Sequence, residues 1–159
     1  MRLFIDSSVF LKLLLDEPGA DKAEEILEMV EESKVLGYIT PMVLEEIFFK
    51  LIFAKASELL DTKDVWRIRE ALRLDDGVRS KCVELLRSFR NYIEYLLMRG
   101  LRVEYVTYDD WLRALNIIEK YGLLPADAIH VAVALRVRAS AIATFDEDFK
   151  AVKEIKIVP

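Results

Sequence analysis

The sequence predicts an α/β protein, a parallel β-sheet wrapped by helices. Short apolar runs typical of buried strands alternate along most of the 159-residue chain with longer segments of helical periodicity. The first run ends on Asp6, and a later one ends directly before Asp146. A hydrophobic content of 53% is sufficient for a globular core. We therefore expect one domain over residues 1–159, with an all-helical insertion at about 61–100.

Five segments have the length and composition of strands. The first lies close to the N-terminus and combines the long-stemmed Arg2 with three apolar residues, which predicts a buried central strand of a parallel sheet. The predicted strands are 2–5, 35–40, 102–107, 139–145 and 155–158.

The segments between the strands have helical spacing of apolar residues. Pro41 and Pro125 fit the first position of a helix, and Gly100 and Gly122 fit helix ends. The segment 81–98 has a clear 3.6-residue apolar stripe, which includes Cys82. The predicted helices are 9–15, 20–33, 41–60, 65–74, 81–98, a helix from Asp109 or Asp110 to 121, 125–135 and a short helix 147–152.

Charge and cysteine content limit the class of protein. The net charge is −5, but residues 63–102 hold ten Lys and Arg against six Asp and Glu, so the rest of the chain carries −9. A basic insertion on an acidic body could bind a phosphate backbone, and the plainer alternative is a solvated helical surface. The single cysteine, Cys82, excludes an internal disulfide and is expected in a core. With no signal-peptide pattern and no long apolar run, we expect a cytoplasmic protein without a membrane segment.

Four acidic residues occupy places that meet at one end of a parallel sheet. Asp6 and Asp146 follow strands, whereas Glu46 (or Glu45) and Asp127 lie in the first turns of helices. Each has a plain alternative role as a helix cap, a first-turn acid or a solvated side chain. Clustered carboxylates repel one another, and a divalent cation relieves this; all-oxygen ligands favour Mg²⁺ or Mn²⁺ over zinc. The chemistry that such a site favours is metal-dependent hydrolysis of phosphodiesters.

With these acidic residues in these positions, the chain resembles the PIN-domain family and is similar to the VapC-type toxins of prokaryotic toxin–antitoxin pairs. Four motifs occur in order within residues 1–60 and 101–159. They are FIDSSVF at 4–10, TPMVLEEI at 40–47, ADAIHVA at 126–132 and ATFDEDF at 143–149.

The resemblance implies a three-layer α/β/α sandwich with a five-stranded parallel sheet in the order 3-2-1-4-5. It also implies a Mg²⁺- or Mn²⁺-dependent endoribonuclease, regulated by a small antitoxin and expected to form a homodimer. The helical insertion departs from the usual compact toxin. By the resemblance, the acidic quartet is Asp6, Glu46, Asp127 and Asp146, supported by the hydroxyls of Ser8 and Thr144 and by Asp148 as an auxiliary acid.

Three further residues each fit two roles. His130 could approach the site as an acid or base, and we expect it instead to be packed with a satisfied ring nitrogen. Trp66 and Trp111 could stack on bases, with core or interface packing as the safer interpretation. A non-catalytic module that binds RNA or protein is the alternative function. A phosphoacceptor signalling domain fits poorly because the first strand ends in one acid and no suitable lysine follows the last strand.

Overall fold

A five-stranded parallel β-sheet forms the middle layer of the computed structural model, which describes residues 1–159. The strands lie in the order β3-β2-β1-β4-β5, so the predicted order is confirmed. Phe4 of the central strand pairs with Tyr38 on one side and Ile142 on the other. The strands are β1 (Arg2–Ile5), β2 (Leu36–Ile39), β3 (Leu101–Val103), β4 (Ala141–Ala143) and β5 (Lys156–Val158).

Seven α-helices cover the sheet, and a short 3₁₀ helix, Glu147–Ala151, precedes β5. Contacts among α1, α2, α3 and α5 form one layer, and α6 packs on α7 in the other. The three-layer sandwich is therefore confirmed. The helices are α1 (Ser7–Leu14), α2 (Ala20–Glu31), α3 (Pro41–Leu60), α4 (Val65–Leu74), α5 (Asp76–Leu97), α6 (Tyr108–Tyr121) and α7 (Pro125–Arg136).

Several predicted boundaries were wrong, and local hydrogen bonding explains the largest errors. Helix α5 begins five residues earlier than predicted because the Asp75 carboxylate accepts hydrogen bonds from the backbone N–H groups of Gly77 and Val78. Strands β3 and β4 are shorter than the apolar runs that predicted them. Gly100 lies beyond the last turn of α5, where a Cβ would be 2.7 Å from the Val35 carbonyl oxygen. It is needed for close backbone approach rather than as a helix cap.

The main core contains 33 buried residues around β1, in which Leu3, Phe4 and Ile5 are almost fully buried. A second, much smaller core lies between α3, α4 and α5 and consists of Ala56, Ile68 and Cys82. The prediction that Cys82 is a core thiol is confirmed, because its side chain is fully buried. Trp66 and Trp111 are 74% and 48% exposed, so the expectation of core packing was wrong for both, and interface packing stays a prediction. Each helix falls short of the length or the apolarity that spanning a membrane requires.

A buried ion pair that sequence reasoning missed fastens α6 to α7. Asp110 is fully buried, and Arg136 Nε donates to both of its carboxylate oxygens at 3.0 Å. Asp110 also forms a capping box with Thr107. Burial raises the pKa of Asp110, but the hydrogen bonds from Arg136 and Thr107 outweigh burial and hold the pKa below its ordinary value. The charged form of Asp110 is therefore the one that stabilises the fold.

We predict that Asp110→Ala lowers the free energy of unfolding by about 2–4 kcal/mol at pH 7, since it removes a cap and leaves Arg136 without its buried partner. The folded-state pKa is below the unfolded one, so this stabilisation is complete above about pH 4 and is lost as pH falls further. Urea denaturation between pH 3 and 7 measures it. Asp109→Ala, at the exposed neighbour, is the control and should change stability by no more than about 0.5 kcal/mol. Equal effects of the two substitutions at pH 7 would contradict the prediction.

Candidate active site

Asp6 lies at the carboxyl end of the central strand and caps α1. Its Oδ2 atom accepts three hydrogen bonds, from the Ser8 backbone N–H at 3.1 Å, the Ser8 hydroxyl at 2.6 Å and the Thr144 hydroxyl at 3.0 Å. The Asp6 backbone N–H donates to the Ala143 carbonyl at 3.0 Å. Hydrogen bonds thus hold both the backbone and the side chain of Asp6, and the residue is only 4% exposed.

The second oxygen of Asp6, Oδ1, accepts no hydrogen bond from the protein. The nearest cationic candidate is Nδ1 of His130, 3.9 Å away, which is beyond hydrogen-bonding distance. His130 is 1% exposed, and neither ring nitrogen has a hydrogen-bond partner. The expectation of a satisfied ring nitrogen was therefore wrong. Burial lowers the pKa of His130 despite the nearby Asp6, which keeps the imidazole neutral.

The end of β4 is tied to the end of β1 through the same hydroxyl groups. Ser8 Oγ accepts a hydrogen bond from the Phe145 backbone N–H at 2.9 Å, and Thr144 Oγ1 accepts one from the Asp146 N–H at 3.0 Å. Asp146 in turn caps the 3₁₀ helix, since its Oδ1 accepts from the Asp148 N–H at 2.9 Å. Asp6 and Asp146 therefore project from adjacent strands at one edge of the sheet.

Asp127 occupies the first turn of α7, as the sequence predicted. Burial is the main cause that raises its pKa to about 6, and the charges of Asp6, Asp146, Glu46 and Asp148 raise it further. The charges of four other acids thus reach Asp127, and the five acids lie at the same edge of the sheet.

Glu46 lies in the second turn of α3 and is half-buried, whereas its neighbour Glu45 is exposed. Burial raises the pKa of Glu46, but the Lys50 ammonium, 2.8 Å away, and the nearby Ser7 hydroxyl outweigh burial and lower it. Both glutamates border a cavity of about 370 Å³ between the starts of α3 and α7, which reaches His130. Burial and neighbours both favour Glu46 as the member of the cluster.

The arrangement is an acidic cleft rather than a closed coordination shell. No three acidic, histidine or cysteine side chains converge tightly enough to form a ready metal-binding group. One reason is visible at Glu46, whose carboxylate is engaged by Lys50. Mutual repulsion also favours side-chain positions that keep like charges apart.

The chain is similar to two proteins of Methanocaldococcus jannaschii over nearly their full lengths. Ribonuclease VapC2 is 29% identical over 158 residues, which cover 99% of this chain and 93% of the relative. Ribonuclease VapC6 is 29% identical over 160 residues, which cover 98% of this chain and 95% of the relative.

Solved structures share the fold. The Mycobacterium tuberculosis VapC20, a toxin that cleaves the sarcin–ricin loop, has a TM-score of 0.61 at 19% identity, with 99% of both chains covered. A chain of a toxin–antitoxin complex from Klebsiella pneumoniae has a TM-score of 0.56 at 16% identity and covers 99% of this chain and 96% of its own. The model of the PIN domain matches residues 3–96 and 84–155. With this match along most of its length, the chain belongs to the PIN domain family.

Proposed function

We propose that this protein is a divalent-metal-dependent endoribonuclease, the toxin of a toxin–antitoxin pair, and that it acts in the cytoplasm. The observation that carries the proposal is the acidic cleft at the carboxyl edge of the sheet. There the pKa of Asp127 is raised to about 6 by burial and by four neighbouring carboxylates. Stability alone does not favour such a cluster, so its presence supports a functional role. The full-length similarity to two proteins named ribonucleases gives the reaction class.

The residues of the cleft fit a hard divalent cation. Every charged group that could ligate a metal there is a carboxylate, and the imidazole of His130 is buried beneath Asp6. Oδ2 of Asp6 is occupied by the Ser8 and Thr144 hydroxyls, which leaves Oδ1 for a ligand. We assign Asp6, Glu46, Asp127 and Asp146 as the residues that would hold Mg²⁺ or Mn²⁺. When bound, such an ion supplies Lewis-acid stabilisation of the charge that develops on a phosphodiester.

The protein groups around the cleft set its geometry. Ser8 and Thr144 hold the Asp6 carboxylate in one orientation by hydrogen bonds that also join β1 to β4. Asp148 contributes negative charge at the rim and raises the pKa of Asp127. Glu46 would exchange its contact with Lys50 for the cation, and Lys50 would then be free to attract a phosphate.

A small antitoxin that blocks the acidic cleft is the proposed partner. The Klebsiella pneumoniae structure is a toxin–antitoxin complex, and VapBC2 of Rickettsia felis, with a TM-score of 0.56 at 13% identity, is bound to a promoter DNA fragment. A homodimer stays a prediction for this chain. Exposed apolar side chains at Trp111 and Leu115 on α6, and at Leu74 at the end of α4, offer surfaces for association.

We predict that Asp6→Asn reduces RNA cleavage by at least about 100-fold, because it removes a charge that the cation needs while keeping the size of the side chain. The measurement is the cleavage of a long, mixed-sequence single-stranded transcript in Mn²⁺ or Mg²⁺ by wild-type and variant proteins purified in the same way. EDTA should abolish the wild-type reaction, and added Mn²⁺ should restore it. If cleavage survives the substitution or EDTA, the acidic cleft does not catalyse the reaction. RNA binding by the wild type with no turnover would favour a non-catalytic module.

Adjacent glutamates provide a matched pair for the third acidic position. We predict that Glu46→Gln lowers kcat by about 10- to 100-fold, whereas Glu45→Gln leaves it within about twofold, since only Glu46 is half-buried beside Ser7. Steady-state cleavage by the two variants measures the difference. The assignment of Glu46 is wrong if Glu45→Gln is the more damaging substitution.

We predict that Asp127→Asn stabilises the metal-free protein at pH 8. The folded-state pKa of Asp127, about 6, exceeds the ordinary 3.8. The contribution of this one residue to stability is therefore greatest below about pH 4 and is lost as pH rises through 6. The full difference corresponds to about 3 kcal/mol, and screening of this half-buried group by solvent reduces the expected effect to about 1 kcal/mol.

Thermal unfolding in EDTA between pH 4 and 8 measures this effect, with Asp109→Asn as the exposed control. The advantage of Asp127→Asn should disappear near pH 4, where the wild-type carboxyl is also neutral. A variant that is less stable than the wild type at pH 8 in EDTA would show that Asp127 is not repelled by its neighbours.

A further inference from the structure

Helix α4 presents an exposed basic and aromatic surface, which we call the α4 patch: Trp66, Arg67, Arg69 and Arg73. Trp66 is 74% exposed, and the Arg69 guanidinium lies 5.9 Å from the centre of its ring. Together with Glu70, these residues line a shallow cavity of about 440 Å³. A large exposed indole next to three guanidinium groups is not required by the core, because α4 is anchored through Ile68.

The three arginines of the α4 patch make no ion pair within 4.0 Å and no side-chain hydrogen bond. Of the other 20 lysines and arginines, nine are in ion pairs, as at Lys12 with Glu17 and at Lys55 with Glu58. Glu70 lies on the same helix but pairs with none of the arginines. The patch therefore keeps its positive charge and its hydrogen-bond donors available to a ligand.

The surrounding structure holds the patch in place. Arg79 at the start of α5 donates hydrogen bonds to the carbonyl oxygens of Leu72 and Arg73, which satisfies the end of α4. Asp64 caps the other end through the backbone N–H groups of Trp66 and Arg67. The presenting surface is thus a fixed helix rather than a loose loop.

We propose that the α4 patch binds single-stranded RNA and holds the substrate of the acidic cleft, an inference that rests on the proposed function. Arginine forks match phosphate oxygens, and an exposed indole stacks on unpaired bases. The basic segment 63–102 carries +4, whereas the remainder of the chain carries −9, so the insertion is where a polyanion is attracted. The acidic residues of the cleft do not themselves attract a polyanion.

Helix α3 links the acidic cleft to the small core on which α4 is anchored. Leu60, at the end of α3, is about 20 Å along the helix from Glu46, at a rise of about 1.5 Å per residue. Proteins that bind single strands cover about 4–16 nucleotides per site. Trp66 favours RNA over an acidic protein segment as the occupant, because stacking needs the flat faces of unpaired bases.

Binding is measured in the full-length Asp6→Asn background with Mg²⁺ present, by fluorescence anisotropy of a labelled 12-nucleotide mixed-sequence RNA. The patch variant replaces three unpaired cations: Arg67→Gln, Arg69→Gln and Arg73→Gln. The control replaces three exposed, unpaired cations elsewhere: Lys22→Gln, Arg113→Gln and Lys153→Gln. We expect the patch variant to weaken binding at least about tenfold and to reduce the slope of log K against log salt by about 2, with little change in the control.

The aromatic contribution is tested separately with Trp66→Ala. We expect binding to weaken roughly 5- to 100-fold with no change in the salt slope, because stacking involves no phosphate neutralisation. Circular dichroism checks that each variant remains folded. Equal losses in the patch and control variants would show attraction by net charge alone and would overturn the proposal. It would also be overturned if a labelled peptide of 12 glutamates bound as tightly as the RNA.

Cleavage kinetics separate this inference from the proposed function. In the wild-type background, the patch variant should raise KM for the long transcript about tenfold with kcat within about twofold, and should leave cleavage of a tetranucleotide unchanged. If the patch variant cleaves the long transcript with an unchanged KM, the proposed RNA-binding role of the α4 patch is wrong, whereas the proposed nuclease activity stands. RNA bound by the patch but not cut by the wild type overturns the nuclease while the binding surface stands.

Discussion

The burial of one carboxylate, Asp6, at the end of the central strand is the constraint on which the rest of the site depends. A carboxylate on a residue that is only 4% exposed requires partners, and the protein supplies them from two parts of the chain, Ser8 in α1 and Thr144 directly after β4. Those hydroxyls also accept hydrogen bonds from the two backbone N–H groups of Phe145 and Asp146, which follow β4. The hydroxyl groups that donate to Asp6 are therefore the same ones that hold the position of Asp146, and the two acids are coupled through covalent structure and hydrogen bonding rather than through mutual attraction.

The remaining acids make the cleft electrostatically unfavourable, and the fold offsets this at a distance. Asp127 is repelled by its neighbours, and His130 beneath Asp6 is neutral and lacks a hydrogen-bond partner. Both features cost stability. The compensation lies in the 33-residue core and in the Asp110–Arg136 pair, which fastens α6 to α7 and so fixes the helix that carries Asp127 and His130. Local strain at a functional site supported by a rigid scaffold is the usual arrangement in enzymes.

The features that sequence predicted best are those with a local cause. Apolar runs followed by acids gave the strand ends, and Pro41 and Pro125 gave helix starts, because these signals act within a few residues. The strand order and the choice of Glu46 over Glu45 were suggested only by the resemblance to a family, whereas strand ends and first helix turns already pointed to the other acids. The Asp110–Arg136 pair was missed because its partners lie on different helices, and no local pattern joins them. The unpartnered ring of His130 was equally hidden, since its isolation depends on packing against Phe4 and Asp6, which lie far from it in the sequence.

The two cores explain how one small chain holds opposite charges apart. The main core supports an acidic edge of the sheet, and the small core of Ala56, Ile68 and Cys82 supports a basic hairpin at the far end of α3. Because α3 carries Glu46 near its start and packs on α4 near its end, a rigid helix sets the distance between the two charged surfaces. The stretch of α3 from Glu46 to Leu60 is about 20 Å long, well beyond the Debye length of about 8 Å at physiological salt, so charges at its two ends attract one another only weakly. Neither surface neutralises the other, and each remains available to a ligand of the opposite sign.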